Sequence, residues 1–325
     1  MKRIAAIDVG TNTVRLLIAD YETGNKIFPV MRKEVITRLG ENFFPQKIIA
    51  PAARERTIAV LRDYNQLITE SKAEKVIAVG TSVIRESTNS ASFIEEVKNQ
   101  TGIEIIPIPG ETEAKISGHG ALLPVNCYYD RALIFDIGGG STEFILTQKT
   151  TIVKLESISL GVVYLTEKYF LYNPPTWEEL DRTEKVVKEK ILKVRENFQS
   201  ANLYPFKSDE EVILIGIAGT PTTIAAIDLK LTQYDRERVT NHLLKLSRIK
   251  EIFHKLVTLK SEERIKLPGL QKGREDLIIP GIIITVAVME TFGFSQLRVI
   301  DSGLLEGLIL SYSSSGRLIS CFSSR

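Results

Sequence analysis

At 325 residues the chain is longer than a single hydrophobic core usually grows, which predicts two domains. Hydrophobic residues at 43% and charged residues at 25% exclude a disordered or fibrous chain, and a net charge of +2 gives no ground for nucleic-acid or membrane binding. Two cysteines, Cys127 and Cys321, exclude a disulfide framework and a cysteine-rich zinc site. The start, Met1-Lys2-Arg3, runs into a short apolar stretch that meets Asp8, which reads as a first strand and not as a signal peptide. The longest apolar run, Leu277 to Met289, is interrupted by Pro280 and Gly281 and falls short of a membrane span. A cytoplasmic protein is the expectation.

In chain order the periodicities predict strands at 4–9, 14–21 and 26–37, a helix at 51–71, a strand at 76–80 and a helix at 90–100. A strand at 103–107, a helix at 111–122 and strands at 132–137, 142–148 and 151–159 follow. The remainder reads as helices at 161–169 and 176–199, a strand at 212–217, helices at 221–228, 240–257 and 274–291, a strand at 297–301 and a helix at 303–313. The helix at 176 carries its own start signal: Thr176 is placed to cap and Glu179 stands three residues on. Leu180, Val186, Val187, Ile191 and Val194 then keep helical spacing. Such alternation predicts an α/β architecture. The tail after Ser313 carries little signal.

One pattern occurs twice. Ile7-Asp8-Val9-Gly10-Thr11-Asn12-Thr13 is followed by an apolar strand, and so is Phe135-Asp136-Ile137-Gly138-Gly139-Gly140-Ser141. A strand, a glycine turn and a second strand bring backbone N–H groups to a tight bend, which is a phosphate-binding concavity. A helix would follow the turn in a dinucleotide-binding fold, so that fold is excluded. The sequels also match. Val76-Ile77-Ala78-Val79-Gly80-Thr81-Ser82 resembles Ile213-Leu214-Ile215-Gly216-Ile217-Ala218-Gly219-Thr220. The chain therefore reads as a duplicated α/β domain.

Asp136 just before the second turn suits a divalent cation, because Mg²⁺ commonly takes one or two carboxylates plus phosphate oxygens. Glu143, on the outgoing strand, is a candidate second ligand. In the first copy Thr11 and Thr13 offer hydroxyls, Asn12 tolerates the bend, and Arg15 suits a phosphate contact and a surface position equally. Acids in a first helical turn ordinarily serve the helix dipole, but Glu113 stands one helix before the second loop, where a hydrolase needs a carboxylate to deprotonate water. Arg85, one turn into a helix, and Arg274 are candidate phosphate clamps, each with a surface ion pair as the alternative. Between Lys245 and Arg274 nine basic residues outnumber Glu251, Glu262 and Glu263, which reads as solvated helix faces or as attraction for a polyanion.

Taken together, Asp8-Val-Gly-Thr-Asn-Thr13, Thr81-Ser82 with Arg85, Gly110-Glu-Thr-Glu113-Ala, Asp136-Ile-Gly-Gly-Gly-Ser-Thr-Glu143, Ala218-Gly-Thr220 and Arg274-Glu-Asp with Pro280-Gly281 resemble the exopolyphosphatase/guanosine pentaphosphate phosphatase (Ppx/GppA) family. The resemblance runs from Asp8 to Gly307 and is to the short form, without the C-terminal HD-type region. It implies two ribonuclease-H-like domains, like those of actin, Hsp70 and sugar kinases, flanking an active-site cleft. The expected division is 1–120 with 303–325 against 121–302. It implies release of terminal phosphate from inorganic polyphosphate, guanosine pentaphosphate, or both, with Mg²⁺ or Mn²⁺ as cofactor and a homodimer as assembly. Residue by residue it implies Glu113 as base and Asp136 as metal ligand, with Glu143 nearby. The reading of the residues themselves adds Asp8 as a further metal ligand and Gly10, Thr11, Asn12, Thr13, Arg85, Gly138, Gly139, Gly140, Ser141, Gly219, Thr220 and Arg274 as expected phosphate contacts. Where the family often has Gly-x-Arg-Glu-Gly this chain reads Gly303-Leu-Leu-Glu-Gly307, so the arginine is absent.

Two other readings share these motifs. A small-molecule kinase of the same superfamily needs an adenosine pocket and an acceptor site, and no segment stands out for either. A non-catalytic phosphate or nucleotide sensor would not need the set Glu113, Asp136 and Glu143.

Overall fold

A computed structural model describes residues 1–22 and 26–315. By backbone proximity the chain divides into two compact units, Met1–Gly120 with the segment from Gly303, and Ala121–Ser302. The tail beyond Ser315, and with it Cys321, lies outside the described residues. No helix among the described residues is long and apolar enough to cross a membrane.

The first unit opens with β1 (Lys2–Val9), β2 (Thr13–Glu22) and β3 (Lys26–Ile36), three antiparallel neighbours. Then come α1 (Pro51–Glu70), β4 (Lys75–Gly80), α2 (Ser82–Glu86), α3 (Ser90–Thr101), β5 (Ile105–Pro107) and α4 (Gly110–Leu122). β4 pairs parallel with β1 and β5 with β4, giving the order β3-β2-β1-β4-β5. Residues of alternate parity along β1 and β2 enter two different cores. Ala5, Ile7, Leu16 and Ile18 pack with Leu61 of α1 and Phe93 of α3, whereas Ile4, Ala6, Leu17 and Ala19 face the opposite side. The period of two along a strand makes a sheet covered on both faces the outcome of these sequences.

The second unit repeats the plan with β6 (Arg131–Ile137), β7 (Thr142–Gln148), β8 (Thr151–Ile158), α5 (Val162–Tyr169), α6 (Trp177–Ser200), β9 (Val212–Ile217) and α7 (Gly219–Asp228). It continues through α8 (Arg236–Val239), β10 (Leu243–Lys245), α9 (Leu246–Val257), α10 (Ser261–Arg264), α11 (Ile278–Phe292) and β11 (Gln296–Val299). The sheet order is β10-β11-β9-β6-β7-β8. Apart from the added edge strand β10, it matches the first sheet strand for strand. Both units are ribonuclease-H-like, as the resemblance implies.

After β11 the chain returns to the first unit as α12 (Leu304–Ser315). Leu304, Leu305, Leu308 and Ile309 cover the sheet face carrying Ile4, Ala6, Leu17 and Ala19. Glycines permit this approach: a Cβ at Gly120 would lie 1.9 Å from the Gly303 carbonyl oxygen, and one at Gly307 2.0 Å from that of Ile116. Glu306, buried, accepts from the Gly303 N–H and from Arg32 of β3. The position thus serves to dock α12 on the sheet.

The cap at Thr176 is present in both directions: its Oγ1 accepts from Glu179 N–H at 3.3 Å, and Glu179 Oε2 accepts from Thr176 N–H at 2.8 Å. Two expectations differ. The helix expected from 240 begins at Leu246, because Asn241 takes a left-handed φ of 67° and Leu243–Lys245 pair antiparallel with β11. The helix expected from 274 begins at Ile278, which places Pro280 in the first turn, where its missing N–H costs no helical bond.

Candidate functional site

In the first unit β1 ends at Asp8 and Val9, and the chain turns back through Gly10–Thr13 into β2. The turn is closed by a hydrogen bond from Gly10 N–H to the Thr13 carbonyl at 2.9 Å. A Cβ at Gly10 would stand 3.1 Å from that carbonyl, so the tight bend favours glycine. Asp8 is in register with Arg15 across the hairpin, and Oδ2 accepts from Arg15 Nε at 2.9 Å. Asp8 Oδ1 is buried with no hydrogen-bond partner. Arg15, for which two positions were open, spends part of its guanidinium on this ion pair. Behind the loop, buried Tyr64 of α1 donates its hydroxyl to the Val14 carbonyl at 3.0 Å, and burial raises its pKa so that the donor proton stays in place.

β4 runs parallel to β1 and ends beside the same turn: Thr81 N–H donates to the Val9 carbonyl at 3.3 Å. Arg85, in the helix that follows, donates through Nη1 to the Ile108 carbonyl at 2.8 Å and to Glu113 Oε2 at 3.2 Å. The carboxylate is buried, held at the first turn of α4 by its own N–H on the Pro109 carbonyl. The carboxyl ends of β1, β4 and β5 therefore bring together Asp8, the Gly10–Thr13 turn, Arg85 and Glu113. Ligands of open α/β sheets bind at that end.

In the second unit the Gly138–Ser141 turn is closed the same way, Gly138 N–H to the Ser141 carbonyl at 2.9 Å. Its cross-strand pair differs. Asp136 is in register with Glu143, so two buried carboxylates stand where the first unit has an ion pair. Glu143 Oε1 accepts from Ser157 Oγ of β8 at 2.8 Å, and Ser157 is its register partner on that strand. Serine at 157 was not among the predicted site residues; its place opposite Glu143 follows only from the β7–β8 register.

Buried carboxylates side by side repel, and a divalent cation relieves that repulsion. Among the described residues no cluster of three or more His, Cys, Asp or Glu forms a cage for a metal. The adjacent Asp136 and Glu143 carboxylates are a donor pair of the kind Mg²⁺ accepts, since that ion commonly takes one or two carboxylates plus water and phosphate oxygens. Asp136 and Glu143 fit that group.

β9 ends at Ile217, and Ala218 enters α7 with φ of 67° and ψ of −166°, a conformation that L side chains rarely adopt. A Cβ at Gly219 would lie 1.6 Å from Arg274 Nη1, so the Arg274 head rests on this turn. Gly281 packs on Thr220, where a Cβ would stand 2.4 Å from the hydroxyl oxygen. Arg274, Gly219 and Thr220 are therefore one constellation. The basic run is not one track: Arg248 pairs with Asp228 and Glu251, Lys250 with Glu290, and Arg264 is buried against the Leu256 and Glu275 carbonyls.

A model described as the Ppx/GppA phosphatase family matches residues 17–315. The chain is 36% identical over 318 residues to the bifunctional 3-dehydroquinate synthase/phosphatase of Fusobacterium nucleatum, covering 94% of this chain and 46% of that longer protein. It is 30% identical over 323 residues to exopolyphosphatase 2 of Mycobacterium tuberculosis, covering 96% of this chain and 98% of the relative. The crystal structure of the Aquifex aeolicus Ppx/GppA family member superposes with a TM-score of 0.79 at 31% identity, over 97% of this chain and 99% of the other. Matching sheet order, duplicated glycine turns and these likenesses along nearly the whole length agree, and the chain belongs to the Ppx/GppA phosphatase family.

Proposed function

We propose that the protein is a metal-dependent phosphoanhydride hydrolase that releases terminal phosphate from inorganic polyphosphate, with guanosine pentaphosphate as the alternative substrate. The observation that carries the reading is the buried Asp136–Glu143 pair in register across a glycine turn, at the position where the first unit places the Asp8–Arg15 ion pair. Two buried carboxylates there have a use when a cation brings phosphate oxygens to them.

Mg²⁺ or Mn²⁺ held by Asp136 and Glu143 would neutralise charge on the phosphate oxygens. The N–H groups of Thr11–Thr13 and Gly139–Ser141, left by the turn-closing bonds of Gly10 and Gly138, and the hydroxyls of Thr11, Thr13, Ser141 and Thr220 hold the phosphates in place. Arg85 and Arg274 offset charge that accumulates as the bridging P–O bond breaks. Glu113 takes the proton of the attacking water, and Arg85 on its Oε2 fixes the direction from which the other oxygen approaches.

Phosphate release measured in parallel from long polyphosphate, short polyphosphate and guanosine pentaphosphate, with Mg²⁺ and with Mn²⁺, tests the proposal. Release from either substrate class supports it. ADP formed from ATP in step with phosphorylation of an acceptor would make the protein a kinase. No release from any substrate with either metal would make it a sensor.

A further inference from the structure

Each glycine turn is held from behind by a segment with no part in the motif. In the first unit the chain leaves β3 and folds across the turn at 37–41. Thr37 and Arg38 N–H groups both donate to the Asn12 carbonyl, at 3.1 and 3.0 Å, and Gly40 N–H donates to the Thr11 carbonyl at 2.8 Å. Two successive N–H groups converge on one oxygen as Arg38 takes a left-handed φ of 51°. Arg56 of α1 braces the segment through the Thr37 carbonyl at 2.9 Å and Glu41 at 2.7 Å. Gly40 lies hard against the turn: a Cβ there would stand 2.3 Å from Thr11 Cγ2.

In the second unit the segment that follows β8 does the same. Val162 N–H donates to the Gly138 carbonyl at 3.1 Å and Val163 N–H to the Gly139 carbonyl at 2.9 Å. Thr142 Oγ1 donates to the Leu160 carbonyl. A Cβ at Gly161 would stand 2.2 Å from the Gly139 carbonyl oxygen and 2.4 Å from Gly140 N.

A trans peptide is planar, with its C=O and N–H on opposite sides. Fixing the carbonyls of Thr11 and Asn12 from one side therefore directs the N–H groups of Asn12 and Thr13 to the other. Fixing those of Gly138 and Gly139 directs the N–H groups of Gly139 and Gly140. We infer that the segments 37–40 and 160–163 are backbone clamps that aim these four N–H groups at phosphate, with Gly40 and Gly161 as positioning residues. The inference rests on the reading of both turns as phosphate sites.

The two glycines meet different atoms, which supplies the test. Gly40→Ala collides with a side-chain methyl that serine lacks, so Thr11→Ser in the same chain removes the nearest obstacle. Gly161→Ala collides with backbone. Steady-state kinetics on polyphosphate with Mg²⁺ and calorimetric binding of inorganic tripolyphosphate are measured for the natural protein, Gly40→Ala, Thr11→Ser/Gly40→Ala and Gly161→Ala, with melting followed by circular dichroism. Displacement of the turn by a fraction of an ångström predicts a kcat/KM loss of roughly 10²-fold in Gly40→Ala, of which the double variant regains at least about tenfold. Gly161→Ala predicts a similar loss, and tripolyphosphate affinity follows the same order. Folded Gly40→Ala with kcat/KM and affinity within about threefold of the natural protein, or a double variant no better than the single one, overturns the inference. Should the natural protein bind tripolyphosphate without hydrolysing any substrate, the hydrolase reading falls and the binding series alone decides on the clamps. Failure to bind tripolyphosphate at all overturns both.

Discussion

The two glycine turns share a backbone and differ most in charge at the strand pair beside them. Gly10 and Gly138 donate to the carbonyl three residues on at the same 2.9 Å, and each turn is backed by the segment after the third strand. Across the hairpin, however, Asp8 faces Arg15 whereas Asp136 faces Glu143. The first unit pairs its carboxylate with a guanidinium, whereas the second unit sets two carboxylates side by side. The duplicated hairpin thus keeps its turn geometry and changes the charge across it. A second difference lies one strand further. Thr81 enters α2 at φ of −101°, an ordinary value, while Ala218 enters α7 at φ of 67°.

The largest effect on this comparison is expected from Glu113, which belongs to neither turn. Glu113→Gln keeps an acceptor for Arg85 and removes the base, so kcat for phosphate release falls roughly 10²–10⁴-fold while tripolyphosphate binding persists. Near-normal turnover would take Glu113 out of that role. Next is the asymmetry itself. Mg²⁺ at about a hundred times its dissociation constant stabilises the native state by about 2.7 kcal/mol. Calorimetric melting should show that shift in the natural protein and lose it in Glu143→Gln, which keeps the acceptor for Ser157 and removes the charge. An undiminished shift in Glu143→Gln would place the cation elsewhere.

How much of this was legible in the sequence depends on where each partner lies in the chain. The hairpin pairing of Asp136 with Glu143, seven residues apart, and the Thr176–Glu179 cap are local, and the motif spacing shows both. The clamps are not local. Gly40 meets Thr11 across β2 and β3, and Gly161 meets Gly139 across β7 and β8, so no period or spacing links them. β10 escaped for a similar reason: its three residues form a strand only by pairing with β11, some fifty residues on. Arg274 could be named from the resemblance, yet its rest on Gly219 needed the packing of α11 against α7.

Smaller predictions sharpen the contrast between the units. Ala218→Gly relieves a backbone strain of about 1–3 kcal/mol and gives back up to about 1 kcal/mol in unfolded-state entropy. Urea unfolding should therefore show a net gain of about 1 kcal/mol, and a loss would mean that the alanine methyl is needed for packing. In the first unit Tyr64→Phe removes the hydroxyl donor behind Val14 and should cost about 1 kcal/mol in the same measurement. Smallest is a pH effect at the far end of α7. Burial raises the Asp228 pKa, but hydrogen bonds from Arg248 and His242 outweigh it and hold the carboxyl below the ordinary range. A depressed folded pKa contributes stability above the unfolded value of about 3.9 and loses it as pH falls through the folded value. The stability gap between the natural protein and Asp228→Asn should be present at neutral pH and close in acid; a gap unchanged on acidification would refute the assignment.

The glycine contact between residues 120 and 303 has a consequence for synthesis. The second unit is one continuous stretch and is complete once Ser302 has left the ribosome. The first unit is not. Until α12 emerges, the face formed by Ile4, Ala6, Leu17, Ala19, Ile77 and Val79 lacks the cover of Leu304, Leu305, Leu308 and Ile309. The part of the chain made first is thus the part finished last, and a nascent chain stalled before residue 304 would carry an open apolar sheet face, a natural client for chaperones.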